Sequence, residues 1–340
     1  MNRGRQLALV VIVAIAIASL GSHLLAGWLK VKTIAAQPFI IGKAGSNPPA
    51  FLSGSSLADY GLSWKEIASL LDLEIKVWGI AAASPYEEEQ FQKQVPDART
   101  TFIVVSAYDL DEANVCDFRA AIVPLAHSLQ MLRATHATWK ESKLVLSQYP
   151  MTWLRTLFPT LGRSRGIMGK LREEAVALLK HSVAASGTEA GPTLDFGKGN
   201  SDDQYKHERV SDWSESKLTG KIAAMRVGVQ GRQGFDGAKR LALDRMLDYG
   251  LQRGRTMVIV LPVSPAYAKE FMPPELTRQF EAELAAARQR FPRTEWLRLD
   301  QLPGLAANEN FCDLVHMNVF GKQLATEAFQ TWLKQTAPQP

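Results

Sequence analysis

Cysteine is almost absent from this chain. Its 340 residues contain two, Cys116 and Cys312. No CxxC or HxxxH spacing accompanies them, which excludes a cysteine-built zinc site. A phosphate loop is missing as well. Gly228, Gly231, Gly234 and Gly237 recur every three residues, but they follow no strand and lack a GK[ST] ending, so they read as a flexible turn. Blocks of like charge are also missing. The 39 Lys and Arg exceed the 34 Asp and Glu, giving a net charge of +5. They are scattered and interleaved, which describes solvated faces and excludes a nucleic-acid footprint. Hydrophobic residues make up 46%, enough for one large domain or two small ones with a buried core.

The most telling absence is at the start. After "MNRGR" there is no Lys, Arg, Asp or Glu from Leu7 to Leu29. At 1.5 Å per residue such a run spans a bilayer core of roughly 30 Å. Arg3 and Arg5 precede it, so the positive-inside rule places the short N-terminus in the cytoplasm. The run exceeds the apolar region of a cleaved signal peptide. The expectation is an uncleaved membrane anchor over residues 7–29, within a first segment 1–33, and an extracytoplasmic domain over 34–340. In an exported chain Cys116 and Cys312 either form a disulfide or stay as two buried thiols, and the sequence weighs the two equally.

Gln37 to Pro49 reads as irregular. "AFLSGSS" reads as a short strand entering a Gly/Ser turn. "SWKEIASLLD" reads as a helix, with Ser63 and Glu66 in capping-box spacing. "EIKVWGIA" is a second strand, "SPYEEEQFQKQ" a helix opened by proline, and "TTFIVVSAY" a third, buried strand. Strands alternating with helices predict an α/β three-layer sandwich with a mostly parallel central sheet. Helical spacing dominates a middle region at about 120–186. A polar stretch at about 187–236 reads as a surface insertion. It holds His207 among Asp202, Asp203 and Glu208, where composition favours a solvated loop over a metal site. The alternation then resumes through "TMVIVLPV" and "TEWLRL" to a closing helix, "NVFGKQLATEAFQTWLKQ".

Just before that helix, "FCDLVHMN" puts Asp313 three residues from His316. An imidazole oriented by a carboxylate is a general base, and its usual client is a hydroxyl or thiol. Alone, such a pair is common, and a solvated or capping role is the ordinary reading. Upstream, "SGSSL" (Ser53 to Leu57) follows the first strand of the alternating pattern. In parallel α/β sheets ligands bind beyond the carboxyl ends of the strands, so a serine there faces the same crevice.

The pairing of "GSSL" at that strand with "DLVHMN" before the last helix resembles the SGNH, or GDSL, hydrolase superfamily. With the N-terminal anchor it is most similar to the branch holding the D-alanine transfer proteins of teichoic-acid modification and the alginate O-acetylation proteins. The resemblance implies Ser56 as nucleophile, His316 as base and Asp313 as its orienting acid. Ser55 stands at the family's Asp position and is the fallback nucleophile. The family's second block implies a backbone oxyanion donor at Gly79, or at Ala82 in an alternative alignment. Its third block normally reads G-x-N-D. Here "SAYDL" puts Tyr108 at the Asn position and Asp109 after it, a departure that weakens the oxyanion site.

The resemblance implies a serine acyltransferase at the bacterial inner membrane. It would work beside a multi-spanning membrane O-acyltransferase on a polysaccharide acceptor, without cofactor or metal. An exported esterase of the same fold is the alternative, and a polysaccharide-binding scaffold subunit the third reading. Joining Cys116 to Cys312 would tie the acid-base loop to the loop after the third strand. Elsewhere, "LPVSPAY" reads as a strand-to-helix turn near the crevice. His127, His136 and His181 read as packed or surface residues on helices. Trp139 and Trp153 read as core rather than as sugar-stacking platforms.

Overall fold

The computed structural model of the chain describes residues 3–28, 39–42, 49–77, 83–113, 123–158, 207–229 and 232–336. They fall into two compact units. The first contains α1 (Arg3–Trp28) and α8 (Gln148–Leu157). In it the Ser19 hydroxyl donates to the Leu157 carbonyl at 2.6 Å. The continuous run of described side chains in α1 is Leu9 to Leu25. Within the described residues no helix is long and apolar enough to cross a membrane. The anchor expected over 7–29 is therefore not established by the fold.

The second unit is α/β. A six-stranded sheet runs in the order β1-β3-β2-β4-β5-β6. The strands are β1 (Phe39–Gly42), β2 (Ala50–Ser53), β3 (Glu74–Val77), β4 (Thr100–Val105), β5 (Arg255–Val260) and β6 (Glu295–Arg298). All neighbours pair parallel except β1, which pairs antiparallel to β3 at the edge. Sequence periodicity predicts no strand at Phe39–Gly42, because four residues after a proline are too few to show alternation. Gly42 lets it form. Its φ is +93°, and a Cβ there would lie 2.3 Å from the Leu73 carbonyl.

The strand residues alternate between two cores, as the pleat requires. Leu52, Phe102, Val104, Met257 and Ile259 face one cluster. Ile103, Val105, Val258 and Val260 face the other. The first is covered by α2 (Ser56–Gly61), α3 (Trp64–Leu71), α11 (Pro265–Phe271) and α13 (Val319–Thr336). The second lies under α10 (Ala238–Leu251) and α12 (Pro274–Arg290). The remaining helices are α4 (Pro85–Gln92), α5 (Ala107–Leu110), α6 (Leu125–Ala134), α7 (Trp139–Leu146) and α9 (Glu215–Gly228).

Two sequence expectations change here. The stretch read as a polar insertion to about 236 contains a helix, α9. Its Leu218, Ile222 and Met225, with Val229 just beyond, form a stripe against the first core. Their three- and four-residue spacing is helical, but Thr, Gly, Lys and Arg between them dilute it. Gly228 closes α9 and Gly237 caps α10. Trp139 and Trp153 are 78% and 54% exposed, so neither is core.

The sheet order sets the position of any site. Strand order reverses around β2, with β3 on one side and β4 on the other. In open α/β sheets the crevice beyond the carboxyl ends opens at such a switch point. Chain leaving β2 and β4 enters α2 and α5 there.

Candidate active site

β2 ends at Ser53, Gly54 and Ser55 form the turn, and Ser56 opens α2. The turn is tight. A Cβ on Gly54 would sit 2.5 Å from Ala58 Cβ and 3.2 Å from Val104 Cβ. Gly54→Ala is thus expected to cost about 1–3 kcal/mol by overpacking and to move Ser56, read as a lower melting temperature together with slower labelling of Ser56 by a serine-reactive phosphonate.

The Asp-His loop arrives from the other end of the chain. Phe311 and Met317 close it by an antiparallel bridge, and the Cys312 N–H donates to the His316 carbonyl at 3.0 Å. The Ser264 hydroxyl donates to the Leu314 carbonyl at 2.7 Å. "LPVSPAY" therefore braces this loop and caps α11 through Ser264. Lys322 of α13 donates to the Asp59 carbonyl of α2, which ties the two halves of the site together.

The three side chains meet. Ser56 Oγ lies 2.8 Å from His316 Nε2, across 260 residues of chain. His316 Nδ1 lies 2.8 Å from Asp313 Oδ2. The carboxylate accepts from Nδ1–H, which leaves Nε2 unprotonated and facing the hydroxyl. Asp313 Oδ1 accepts from the N–H groups of Val315 at 2.8 Å and His316 at 2.7 Å. Burial opposes the charge on Asp313. The His316 hydrogen bond and charge, with the two backbone donors, more than offset it and hold the carboxyl below its ordinary range. The Tyr60 ring lies 4.7 Å from the imidazole, centroid to centroid, and walls one side of it. Such a relay can remove the serine proton as the oxygen attacks a carbonyl carbon.

Ser55 is not available for that role. It is buried, donates to Asp109 Oδ1 at 2.7 Å and accepts from the Leu57 N–H at 3.2 Å. Asp109 Oδ2 accepts from Ser106 Oγ at 2.9 Å. Burial pushes the Asp109 carboxyl up to about 6, against the pull of Ser55, Ser106 and Lys239. Asp109 thus supports the nucleophile turn from below rather than donating to an oxyanion. Tyr108 packs its ring edge-on to Tyr267 at 6.0 Å.

Gly79, Ala82 and Cys116 lie outside the described residues, as does His181. Cys312 is a buried free thiol, its acidity suppressed to about 12 by burial and the Asp313 charge. His127 pairs with Glu89 at 3.0 Å. Among the described residues no group of His, Cys, Asp and Glu could hold a metal ion. His207 instead packs against Phe320. A cleft of about 540 Å³ beside Glu89, His127 and Arg245 shares no residue with the Ser-His-Asp relay. Sequence reasoning missed Ser106, whose hydroxyl helps to hold Asp109 under the nucleophile turn.

The fold and this relay define an α/β protein with a Ser-His-Asp constellation at the switch point of its sheet. No family model matches the chain. No curated protein matches it either.

Proposed function

We propose that the chain is a membrane-anchored, extracytoplasmic serine acyltransferase of SGNH type. The observation that carries the reading is the unbroken hydrogen-bonded chain from Ser56 through His316 to Asp313. His316 takes the Ser56 proton as Oγ attacks an acyl carbonyl, then returns it to the leaving group, which leaves an ester on Ser56. A hydroxyl of an envelope polysaccharide or exopolysaccharide, deprotonated by the same imidazole, takes the acyl group and frees the serine. The Ser56 N–H, which no described bond engages, supports an oxyanion site. A multi-spanning membrane O-acyltransferase would deliver the acyl group.

The anchor belongs to this proposal. It is supported by the uncharged run from Leu7 to Leu29, by the helical backbone over Arg3–Trp28, and by exposed Val10, Ile12, Ile17 and Leu20. Esterase activity is the second reading. It is favoured by the side chains of His316 and Asp313, each 23% exposed, which leaves water a path to the acyl-enzyme.

The test uses the full-length chain in detergent, with a chromogenic acetyl ester and an acetylated donor plus oligosaccharide. Acetyl transfer to the oligosaccharide in excess of hydrolysis supports the transferase, and hydrolysis alone supports the esterase. No turnover and no phosphonate labelling of Ser56 would sink both. Recovery of the chain in the soluble fraction after lysis would remove the anchor.

A further inference from the structure

β2 and β4 are neighbours in the sheet, and their register runs from Ala50 opposite Thr100 to Ser53 opposite Ile103. Gly54, Ser55 and Ser56 lie beyond that last pair, so strand pairing does not fix the nucleophile. A buried polar bridge takes over where the ladder stops. Ser55 lies on the chain leaving β2, and Asp109 lies on α5, which follows β4. The Ser55 hydroxyl donates to Asp109 Oδ1 at 2.7 Å, and the Ser106 hydroxyl donates to Oδ2 at 2.9 Å. A carboxylate has no proton to give, so each hydroxyl turns its own toward it. The hydroxyl oxygens are in use as well. Ser55 Oγ accepts the Leu57 N–H at 3.2 Å, and Ser106 Oγ accepts the Asp109 N–H at 3.2 Å. All three side chains are buried. A polar network satisfied in this way, in a low-dielectric interior, is stiff.

Ser55 is also the N-cap of α2. Its side chain caps the Leu57 N–H, and its carbonyl accepts the Ala58 N–H at 3.0 Å. α2 is six residues long, and Ser56 is the first of them. The direction of that first turn brings Ser56 Oγ to 2.8 Å from His316 Nε2. The imidazole is held separately, by Asp313 within its own loop. The two sides of the Ser-His hydrogen bond therefore rest on two carboxylates. Asp313 orients the base, and Asp109, through the Ser55 hydroxyl, orients the cap on which the nucleophile stands.

We propose that Asp109 is a positioning residue for the acyl-transfer step: acting through Ser55, it fixes the first turn of α2 and keeps Ser56 Oγ in line with His316. This rests on Ser56 being the nucleophile. Asp109 touches neither Ser56 Oγ nor the imidazole, so its loss lowers kcat and leaves KM near the wild-type value. Displacing a reacting group by about 1 Å is worth about 10²-fold in rate. Asp109 and Ser55 act as one unit, so removing both costs no more than removing either, and the two effects do not add.

The test measures kcat and KM for a chromogenic acetyl ester on the full-length chain in detergent, at a temperature below the melting point of every variant. The set is Asp109→Asn, Ser55→Ala, the two combined, and Ser55→Thr. An asparagine has one oxygen where two hydroxyls need acceptors, so Asp109→Asn is expected to lose about 10²-fold in kcat at an unchanged KM. Ser55→Ala is expected to lose as much, and the double variant no more than either. Ser55→Thr keeps both the hydroxyl and the cap, and recovers most of the rate that Ser55→Ala loses. A folded Asp109→Asn with the wild-type kcat overturns the proposal. So does a loss carried by KM, or a pair of single losses that multiply in the double variant. If Asp109→Asn does not fold, Ser55→Ala and Ser55→Thr decide, and an equal loss in both overturns it. A wild type without turnover defeats the serine chemistry and the positioning role together. Wild-type turnover that Asp109→Asn retains in full defeats the positioning role alone.

Discussion

Ser56→Ala and His316→Ala are each expected to lower ester turnover by about 10⁴–10⁶-fold, and the double variant by no more than either alone. The two atoms share one proton, so removing either partner removes the whole step. Ser55 is the nearest substitute nucleophile, but it cannot rescue the loss. Its hydroxyl is spent on Asp109, and its lone pair caps the Leu57 N–H. Freeing it would strand Asp109 with one fewer donor in a buried site. The cost to folding should be small by comparison. Ser56→Ala removes one half-buried hydrogen bond, worth about 0.5–1.5 kcal/mol, so its melting temperature should stay close to that of the wild type while turnover collapses. Mass spectrometry of phosphonate-treated protein decides the point. An adduct on Ser56 in the wild type and none in Ser56→Ala is the expected pair. An adduct on Ser55 in either protein would reassign the nucleophile.

These residues could be read before the fold because their signals are local. Asp313 and His316 lie within one loop, and Ser56 ends a short apolar strand at a Gly/Ser turn. Three of the four inner strands were legible for the same reason: Leu52, Phe102 and Ile259 sit in near-continuous apolar runs, as strands covered on both faces must. What escaped was whatever depends on partners far away in sequence. Ser106 matters only because β4 delivers it to Asp109, which also holds Ser55. Nothing in "SAYDL" announces that. β1 needed the β3 edge to exist at all. α9 carries its apolar stripe so thinly that only packing against the first core reveals it. The exposure of Trp139 and Trp153 was misjudged because aromatic spacing reports helix geometry and not what covers the helix.

Asp313→Asn should leave the loop in place and still lower turnover about 10⁴-fold. The reasoning is one of proton placement. Asp313 has two separable duties. Oδ1 accepts the Val315 and His316 N–H groups and fixes the loop, while Oδ2 accepts from the imidazole Nδ1. An asparagine oxygen can keep the first duty. Its amide group then faces Nδ1 as a donor, so the ring holds its proton on Nε2, pointing at the Ser56 hydroxyl it should deprotonate. The variant also lacks the charge that stabilises an imidazolium. The Asp313 carboxyl titrates below its ordinary range when folded, so its contribution is present above the unfolded value near 4 and is lost as pH falls through the folded value. The melting gap between wild type and Asp313→Asn should therefore be open at neutral pH and close in acid. Asp313→Ala, which forfeits both duties, should melt lower still at every pH. If Asp313→Asn turns over at the wild-type rate, His316 is not oriented by this carboxylate, and the relay is a structural hydrogen-bond chain rather than a catalytic one.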